Sequence, residues 1–157
     1  MSTLRLPRAI YNELRAHGEQ TYPEECCGVL LGVATADGWS ISAAVRAVNA
    51  SAESARRRYH IAPAEIVAIV RDARRRNLEV AGFYHSHPDQ PAEWSRTDLD
   101  EAHWIGCSYV ITQVDGGRAA ATKAFLLAGT TEEDKRFEPQ AVQVLDRGDS
   151  AHPPANH

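Results

Sequence analysis

Cysteine is scarce in this chain, and its arrangement excludes a framework of disulfide bonds. Only Cys26, Cys27 and Cys107 occur among the 157 residues, and the first two are adjacent. Three thiols placed in this way cannot form the paired cysteines that hold small secreted domains together, and a signal-peptide pattern is also missing. We therefore expect a cytoplasmic protein, with Cys26 and Cys27 as small core residues that point to opposite faces of one strand.

An excess of positive charge and long apolar runs are also missing. The net charge is −4 and the isoelectric point is near 6.0, so the basic surface of a nucleic-acid-binding domain is not expected. No apolar run approaches the roughly 20 residues of a membrane span. Two arginine clusters are local exceptions: residues 74–76 suit the end of a helix, whereas Arg56, Arg57 and Arg58 belong either to a solvated loop or to a contact with a partner. We predict neither a nucleic acid nor a membrane as partner, and the oligomeric state is left open.

The remaining composition predicts one globular domain. With 43% hydrophobic residues, a chain of this length can bury a single core of useful size. We place the domain at residues 1–145. Residues 146–157 are polar and contain two prolines, so we predict a disordered tail there and no metal-binding role for His152 and His157.

Hydrophobic periodicity and turn residues predict a mixed order of helices and strands. In chain order, we predict a helix at 7–17 that Gly18 ends, strands at 26–33 and 39–48, a short strand at 59–61, a helix at 63–77, a strand at 80–85, a helix at 95–104, strands at 107–114 and 118–127, and a short apolar segment at 141–145. This order predicts an α/β sandwich, in which helices flank a mixed sheet.

The most informative stretch ends the apolar strand at 80–85. His85 and His87 are separated by one residue, so on a strand both side chains project from the same face. Asp98, on the next element, could supply a third ligand. Two imidazoles and one carboxylate suit zinc, and three protein ligands leave one position for water, as in catalytic rather than structural zinc sites.

Two structural alternatives compete with this interpretation. A His-x-His pair also occurs on strand surfaces and in hydrogen-bonded cores, and Ser95-Arg96-Thr97-Asp98 has the pattern of a capping box at the start of a helix. For Ser95, capping and a functional role are compatible. For Asp98 they compete, because the carboxylate either turns back to the helix end or reaches towards a metal.

Two separated motifs together resemble the signature of the JAMM metalloproteases, also called the MPN+ or JAB family. One is His85-Ser86-His87-Pro88 followed by Ser95 and Asp98. The other is Pro-Glu-Glu-Cys-Cys-Gly-Val-Leu-Leu-Gly at residues 23–32, which is similar to the family's Pro-x-Glu-x-Cys-Gly-x-Leu-x-Gly. This alignment puts Glu25, not Glu24, at the position of the catalytic glutamate. The resemblance extends over about residues 6–145.

The resemblance implies a fold, a cofactor and a role for each motif residue. The implied fold is cytidine-deaminase-like, and the implied cofactor is one zinc ion per chain, held by His85, His87 and Asp98. Glu25 would accept and pass on a proton, and the Ser95 hydroxyl would stabilise an oxyanion. Two other zinc hydrolase patterns do not match: Gln90 breaks the metallo-β-lactamase pattern that His85, His87 and Asp89 begin, and the Pro-Cys-x-x-Cys element of nucleoside deaminases is absent.

The implied activity is hydrolysis of an amide bond after the C-terminal Gly-Gly of a ubiquitin-like or sulfur-carrier protein. The short spacings around the motif leave no room for the insertions with which eukaryotic deubiquitinating relatives grip ubiquitin, so the chain is similar to the compact prokaryotic peptidases of sulfur carriers. A catalytically silent scaffold is one alternative, although no motif residue is lacking. A zinc amidohydrolase that acts on small amides is another, because loop shape decides substrate choice.

Overall fold

The computed structural model describes residues 1–51, 54–56 and 58–146. In chain order the elements are β1 Thr3–Pro7, α1 Arg8–Thr21, β2 Cys27–Thr35, β3 Gly38–Ala47, α2 Pro63–Arg75, β4 Glu79–Pro88, α3 Arg96–Glu101, β5 Ser108–Asp115, β6 Arg118–Ala128 and β7 Arg136–Leu145. The three predicted helices are present. The strands predicted at 26–33 and 39–48 form one antiparallel hairpin, and those predicted at 107–114 and 118–127 form another. Within the described part of the chain, no helix combines the length and the apolar character needed to cross a membrane.

The strands form one sheet that closes on itself in the order β1-β3-β2-β4-β5-β6-β7. Parallel pairing of β1 with β7, from Thr3 opposite Ala141 to Pro7 opposite Leu145, closes the barrel. The predicted α/β class and mixed sheet are therefore confirmed, whereas the predicted sandwich is corrected, because the sheet closes into a barrel. We did not predict β1, because it is only five residues long. Of β7 we predicted only the last residues, 141–145, because Pro139 interrupts its strand pattern.

Gly18 does not end the first helix, so this part of the prediction is wrong. Gly18 lies inside α1, which continues to Thr21. A Cβ at this position would lie 3.0 Å from the Cγ2 atom of Val114 and 3.2 Å from the Cβ atom of Ser86, so glycine permits the helix to approach the sheet closely. The sheet curls around α1, which contacts β1 and all strands from β3 to β7. Leu14 packs there with Leu4, Leu6, Leu30 and other buried side chains.

The second core lies on the opposite face of the sheet, under α2 and α3. Ile69 and Ala73, four residues apart on one face of α2, are buried against it. Cys27 belongs to this core and Cys26 to the one around α1, so the predicted burial of both thiols on opposite faces is confirmed.

The predicted short strand at 59–61 is wrong, since the described residues of this stretch form an irregular loop. The Asn49 side chain holds the loop: its Oδ1 atom accepts hydrogen bonds from the backbone N–H groups of Ser51 and His60, at 3.0 and 3.1 Å. Such side-chain bonds satisfy backbone groups that would otherwise need a neighbouring strand.

The predicted tail at 146–157 lies outside the described residues except for Asp146. This residue forms an ion pair with Arg8, with 2.7 Å between Nε and Oδ1.

Candidate metal centre

Strand β4 lies between β2 and β5 and carries both histidines of the motif. It extends to Pro88, three residues further than predicted, so His85 and His87 lie on one regular strand and face the same side. Cys27 of β2 is opposite His85, and the backbone N–H of Ser86 bonds to the carbonyl of Cys26 at 3.3 Å. Continuing this antiparallel register puts Glu25 opposite His87, on the same face of the sheet. Residues sixty positions apart in the chain thus meet at one strand end.

The ring nitrogens and the carboxylate form a compact triangle. The two Nε2 atoms of His85 and His87 are 3.2 Å apart. The Asp98 carboxylate lies across from them, with Oδ1 at 3.3 Å from Nε2 of His85 and Oδ2 at 3.1 Å from Nε2 of His87. All three side chains are largely withdrawn from solvent. Among the described residues, these three form the group of potential metal ligands whose donor atoms lie together.

The donor spacing fits a tetrahedral zinc ion. Zinc bonds of roughly 2.0–2.1 Å in tetrahedral geometry separate neighbouring donor atoms by about 3.3 Å. The two Nε2 atoms are 3.2 Å apart, and each has one oxygen of the Asp98 carboxylate within 3.3 Å. The Nδ1 atom of His87 is 2.9 Å from the carbonyl oxygen of Pro91. Donation from Nδ1 to this carbonyl leaves the lone pair on Nε2, which is how protein histidines are commonly oriented towards a metal. The residues present therefore fit the zinc that the motif implies.

Asp98 serves helix α3 and the triangle with the same carboxylate. Its Oδ2 atom accepts the backbone N–H of Ser95 at 2.9 Å, while the Oγ atom of Ser95 accepts the backbone N–H of Asp98 at 3.0 Å. This is the predicted capping box. The expected competition for Asp98 does not arise, because a carboxylate has lone pairs enough for the helix end and for a second partner.

In the metal-free site, electrostatics keep Asp98 anionic and favour a second proton on His87, at the Nε2 atom that a metal would occupy. Burial raises the pKa of the Asp98 carboxyl, but hydrogen bonds from His85 and His87 outweigh it and hold this pKa well below its usual range. For His87, burial lowers the pKa, while the hydrogen bonds to Asp98 and Pro91 more than compensate, so the net shift is upwards. The site is thus built around one permanent negative charge.

Glu25 has the environment of a proton acceptor at neutral pH. Its side chain is 4% exposed, and its Oε1 atom has no hydrogen-bond partner in the described structure. Burial raises the pKa of its carboxyl to about 7, against the opposing effect of the nearby His85 and His87. A buried, unpartnered carboxyl oxygen beside three potential metal ligands points to a function in the site, since buried polar atoms are rarely left unpaired.

The irregular loop before α2 covers the site from one side. The Tyr59 ring stacks on the His85 ring, with centroids 4.5 Å apart. The same loop is tied to Glu25, whose backbone N–H donates to the carbonyl of Ala55 at 2.7 Å. We did not identify Tyr59 from the sequence, and no local signal marks it, because its partner lies 26 residues further along the chain.

A cleft of about 360 Å³ opens beside this stacked pair. An ion pair at its edge joins the loop to α3, with 3.0 Å between Nε of Arg58 and Oε1 of Glu101. Of the arginine cluster, Arg58 thus has a partner within the chain, Arg56 is exposed and Arg57 lies outside the described residues. The cleft is lined by Tyr59, His60, Ile61, Ile66, Phe83, Glu101, His103, Trp104 and Tyr109.

His17, His103 and Asp89 lie away from the triangle. The Nδ1 atom of His17 is 2.8 Å from the Tyr84 hydroxyl inside the core around α1, and His103 pairs with Glu132 at the surface. Asp89 accepts hydrogen bonds from the Tyr22 hydroxyl at 2.5 Å and from the backbone N–H of Gly116 at 2.8 Å. Its carboxylate is therefore engaged away from the triangle.

A sequence model of the prokaryotic homologues of the JAB domain matches residues 7–127, a range that contains every residue of both motifs. The chain belongs to the prokaryotic JAB family. JAB domains of this family are metallo-isopeptidases, so the predicted enzyme class is confirmed.

Two curated relatives of this JAB protein carry names that describe a cleavage activity. The desampylase of Haloferax volcanii is 38% identical over 98 residues, which are 62% of this chain and 68% of the desampylase. A probable TtuB-protein conjugate cleaving protease of Thermus thermophilus is 31% identical over 116 residues, or 74% of each chain.

Two solved structures show the same fold. A protein of Salinibacter ruber superimposes with a TM-score of 0.69 and 34% identity, over 98% of this chain and 99% of its own. A protein of Desulfitobacterium hafniense gives a TM-score of 0.78 over 92% of this chain and 94% of its own, and its 24% identity supports a shared fold alone.

Proposed function

We propose that this JAB protein is a zinc-dependent isopeptidase that hydrolyses an amide bond after the C-terminal Gly-Gly of a ubiquitin-like or sulfur-carrier protein. The observation that carries the proposal is the triangle of His85, His87 and Asp98 at the donor spacing of tetrahedral zinc, with the unpartnered carboxyl of Glu25 on the same face. Zinc bound there supplies a water of lowered pKa and a Lewis acid for the amide carbonyl.

Glu25 moves the proton. Its carboxyl, with a pKa of about 7, can take a proton from the attacking water at Oε1 and deliver it to the departing amine. General acid–base catalysis is most effective when the pKa of the group lies near the working pH, and it contributes about 10²–10⁴-fold to the rate. The buried position of Glu25 beside the triangle places its carboxyl for both halves of the transfer.

Ser95 stabilises the developing oxyanion. Its Oγ atom accepts the N–H of Asp98, which leaves the hydroxyl hydrogen free to donate. The side chain is exposed at the N-terminus of α3, next to Asp98. A hydroxyl fixed by the capping box can donate to a substrate oxygen without first breaking another bond, and such preorganisation is the source of oxyanion stabilisation.

The substrate class follows from the relatives and from the shape of the site. Both curated relatives are named for removing a protein modifier, or for cleaving conjugates of one. A Gly-Gly tail is suited to a site bounded by a loop and a short helix, since glycine lets the backbone approach closely. One side of β3 pairs with β2 along its length, whereas its other side pairs with β1 only at residues 38–40. The rest of this second edge of β3 has no strand partner in the described structure. Residues 45–49 lie at that edge and offer main-chain groups to an extended tail, apart from the backbone N–H of Val48, which donates to Oε1 of Glu65 at 3.1 Å.

The substrate proposal is tested with carrier proteins that end in Gly-Gly and are extended by one cysteine, by a short peptide or by a lysine-linked protein. Loss of the extension, followed by mass spectrometry, is expected only with zinc-loaded enzyme and not after chelation. The matched control is the same C-terminal peptide without the folded carrier. Equal rates for the peptide and the folded carrier would overturn the carrier proposal and favour a general amidohydrolase.

Substituting Ser95→Ala separates its two roles. Loss of the cap is expected to lower the free energy of unfolding by about 1 kcal/mol, and loss of the oxyanion donor is expected to lower kcat by about 10²–10³-fold. Thermal unfolding and steady-state kinetics on the same preparation measure both. A lower melting temperature with unchanged kcat would leave Ser95 as a helix cap only.

Three finer points belong to the same proposal. The domain comprises residues 1–145, supported by the closure of the barrel at Leu145. Its fold is related to that of cytidine deaminases, supported by a mixed sheet with α1 on one face and α2 and α3 on the other. It works in the cytoplasm on a protein rather than on nucleic acid or membrane, supported by three buried thiols without a disulfide and by a net charge of −4.

A further inference from the structure

Helix α3 carries much of the site although it is only six residues long. It holds Asp98, and its N-cap is Ser95. Helices this short are not stable by themselves, because the cost of forming the first turn is spread over few hydrogen bonds. Its N-terminus is secured by the capping box, but the carbonyl groups at its C-terminus also need partners.

Lys135 supplies those partners from the loop between β6 and β7. Its Nζ atom donates to the carbonyl oxygen of Asp100 at 3.1 Å and to that of Ala102 at 2.8 Å. A cation at a helix C-terminus is also favoured by the helix dipole. The side chain is only 8% exposed, unusual for lysine. Ala102 lies one helical turn after Asp98, so the hydrogen bond from Lys135 is close to Asp98 along the helix.

The loop that carries Lys135 is itself rigidly built. Gly129 has a φ of 118°, and a Cβ there would lie 2.8 Å from the Cα atom of Lys135, so only glycine allows this approach. The Asp134 carboxylate accepts hydrogen bonds from Thr130 and Thr131, through both backbone and hydroxyl groups, at 2.7–3.1 Å. These bonds fix the loop independently of α3.

Glu132 then orients the lysine. Its Oε2 atom is 2.6 Å from Nζ of Lys135, and its Oε1 atom is 2.9 Å from Nδ1 of His103, just beyond the helix. The hydrogen bond from Lys135, followed by that from His103, lowers the pKa of the Glu132 carboxyl. One carboxylate therefore ties the lysine to the chain segment that leaves α3.

We propose that Lys135 is a positioning residue for the metal centre: through the last carbonyls of α3 it holds Asp98 in register with His85 and His87. The proposal rests on the proposed function for its effect on catalysis, but its effect on α3 does not. Lys135 lies beyond residues 7–127, where the family match ends, so the match does not assign this role.

The test compares Lys135→Met with two controls in the full chain. Lys135→Met keeps the aliphatic stem and removes the donors. Arg136→Met removes the neighbouring exposed cation, which pairs with Glu138. Val142→Ala, in the core around α1, destabilises the fold far from α3. We expect Lys135→Met alone to weaken zinc binding by about 10-fold or more, since substituting residues that orient metal ligands typically lowers metal affinity by about 10–100-fold. The same variant should lower kcat more than it raises KM. Lys135→Arg, which keeps a cationic donor, should restore most of the zinc affinity and most of kcat.

A second readout requires no metal. Hydrogen exchange at the amides of Leu99 and Ala102, which bond to Ser95 and Leu99 within α3, should be faster in Lys135→Met and unchanged in Arg136→Met. Zinc affinity of Lys135→Met equal to that of the parent, or reduced no more than in Val142→Ala, overturns the proposal.

If the parent binds no zinc, the proposed function fails, and the exchange experiment still tests Lys135. Unchanged protection of α3 in Lys135→Met overturns the role of Lys135, whereas selective loss of protection supports its anchoring of the helix.

Discussion

Replacing Glu25 with glutamine is expected to lower kcat by about 10²–10⁴-fold, the range of general acid–base catalysis, while zinc content and KM stay close to those of the parent. Glutamine has nearly the same shape as glutamate but cannot accept the proton of the attacking water. Because the donor triangle consists of His85, His87 and Asp98, removing this carboxylate leaves the ligands in place. Steady-state kinetics with a cleavable carrier conjugate, together with metal analysis, measure the effect.

The matched control is Glu24→Gln, a change of the same chemistry at the neighbouring position. Glu24 is exposed, whereas Glu25 is buried, so the control should retain full activity. An inactive Glu24→Gln protein beside an active Glu25→Gln protein would mean that the alignment of residues 23–32 with the family signature is shifted by one residue.

The same substitution also tests the electrostatics of Glu25 in metal-free protein. Because burial raises the pKa of this carboxyl from 4.5 to about 7, the native state binds the proton more tightly than the unfolded state does. Its contribution to stability is complete below about pH 4.5 and is lost as the pH rises through about 7, a difference of about 3 kcal/mol. Glutamine has no such loss, so Glu25→Gln should be increasingly more stable than the parent from pH 5 to pH 8 in denaturant unfolding. A constant difference across this range would contradict the raised pKa.

Substituting His87→Ala is expected to remove both the metal and the activity. Parent protein purified without chelator and reloaded with zinc should hold close to one equivalent per chain. The variant loses one of three donors and also the Nε2 contact at 3.1 Å that faces the Asp98 carboxylate, so it should hold little zinc. Metal analysis by mass spectrometry, with activity measured on the same sample, gives both results.

His60→Ala is the matched control for zinc content, since His60 is exposed and lies outside the triangle. It should retain the full equivalent of metal. A reloaded parent with well under half an equivalent would contradict the zinc site itself. Full zinc in the His87→Ala protein would show that the metal binds elsewhere.

Local sequence signals predicted the parts of the fold that depend on local structure. The face of α2, the capping box at Ser95 and the turn between β5 and β6 all depend on residues a few positions apart, and all are present. The errors lie where a distant contact decides. Gly18 looked like a helix stop, but contacts with Val114 and Ser86 show why glycine is needed inside α1.

The sequence by itself determined which side chains are candidates for the site. The two-residue period of a strand puts His85 and His87 on one face, and the three-residue spacing of a capping box joins Ser95 to Asp98. Only the tertiary structure decided what surrounds them. Glu25 faces His87 through pairing of β2 with β4, Tyr59 covers His85, and Lys135 anchors α3. Pairing of β1 with β7 closes the barrel. Each of these contacts joins residues far apart in the chain, and their energy comes from burial and hydrogen bonds that exist only after the sheet has formed.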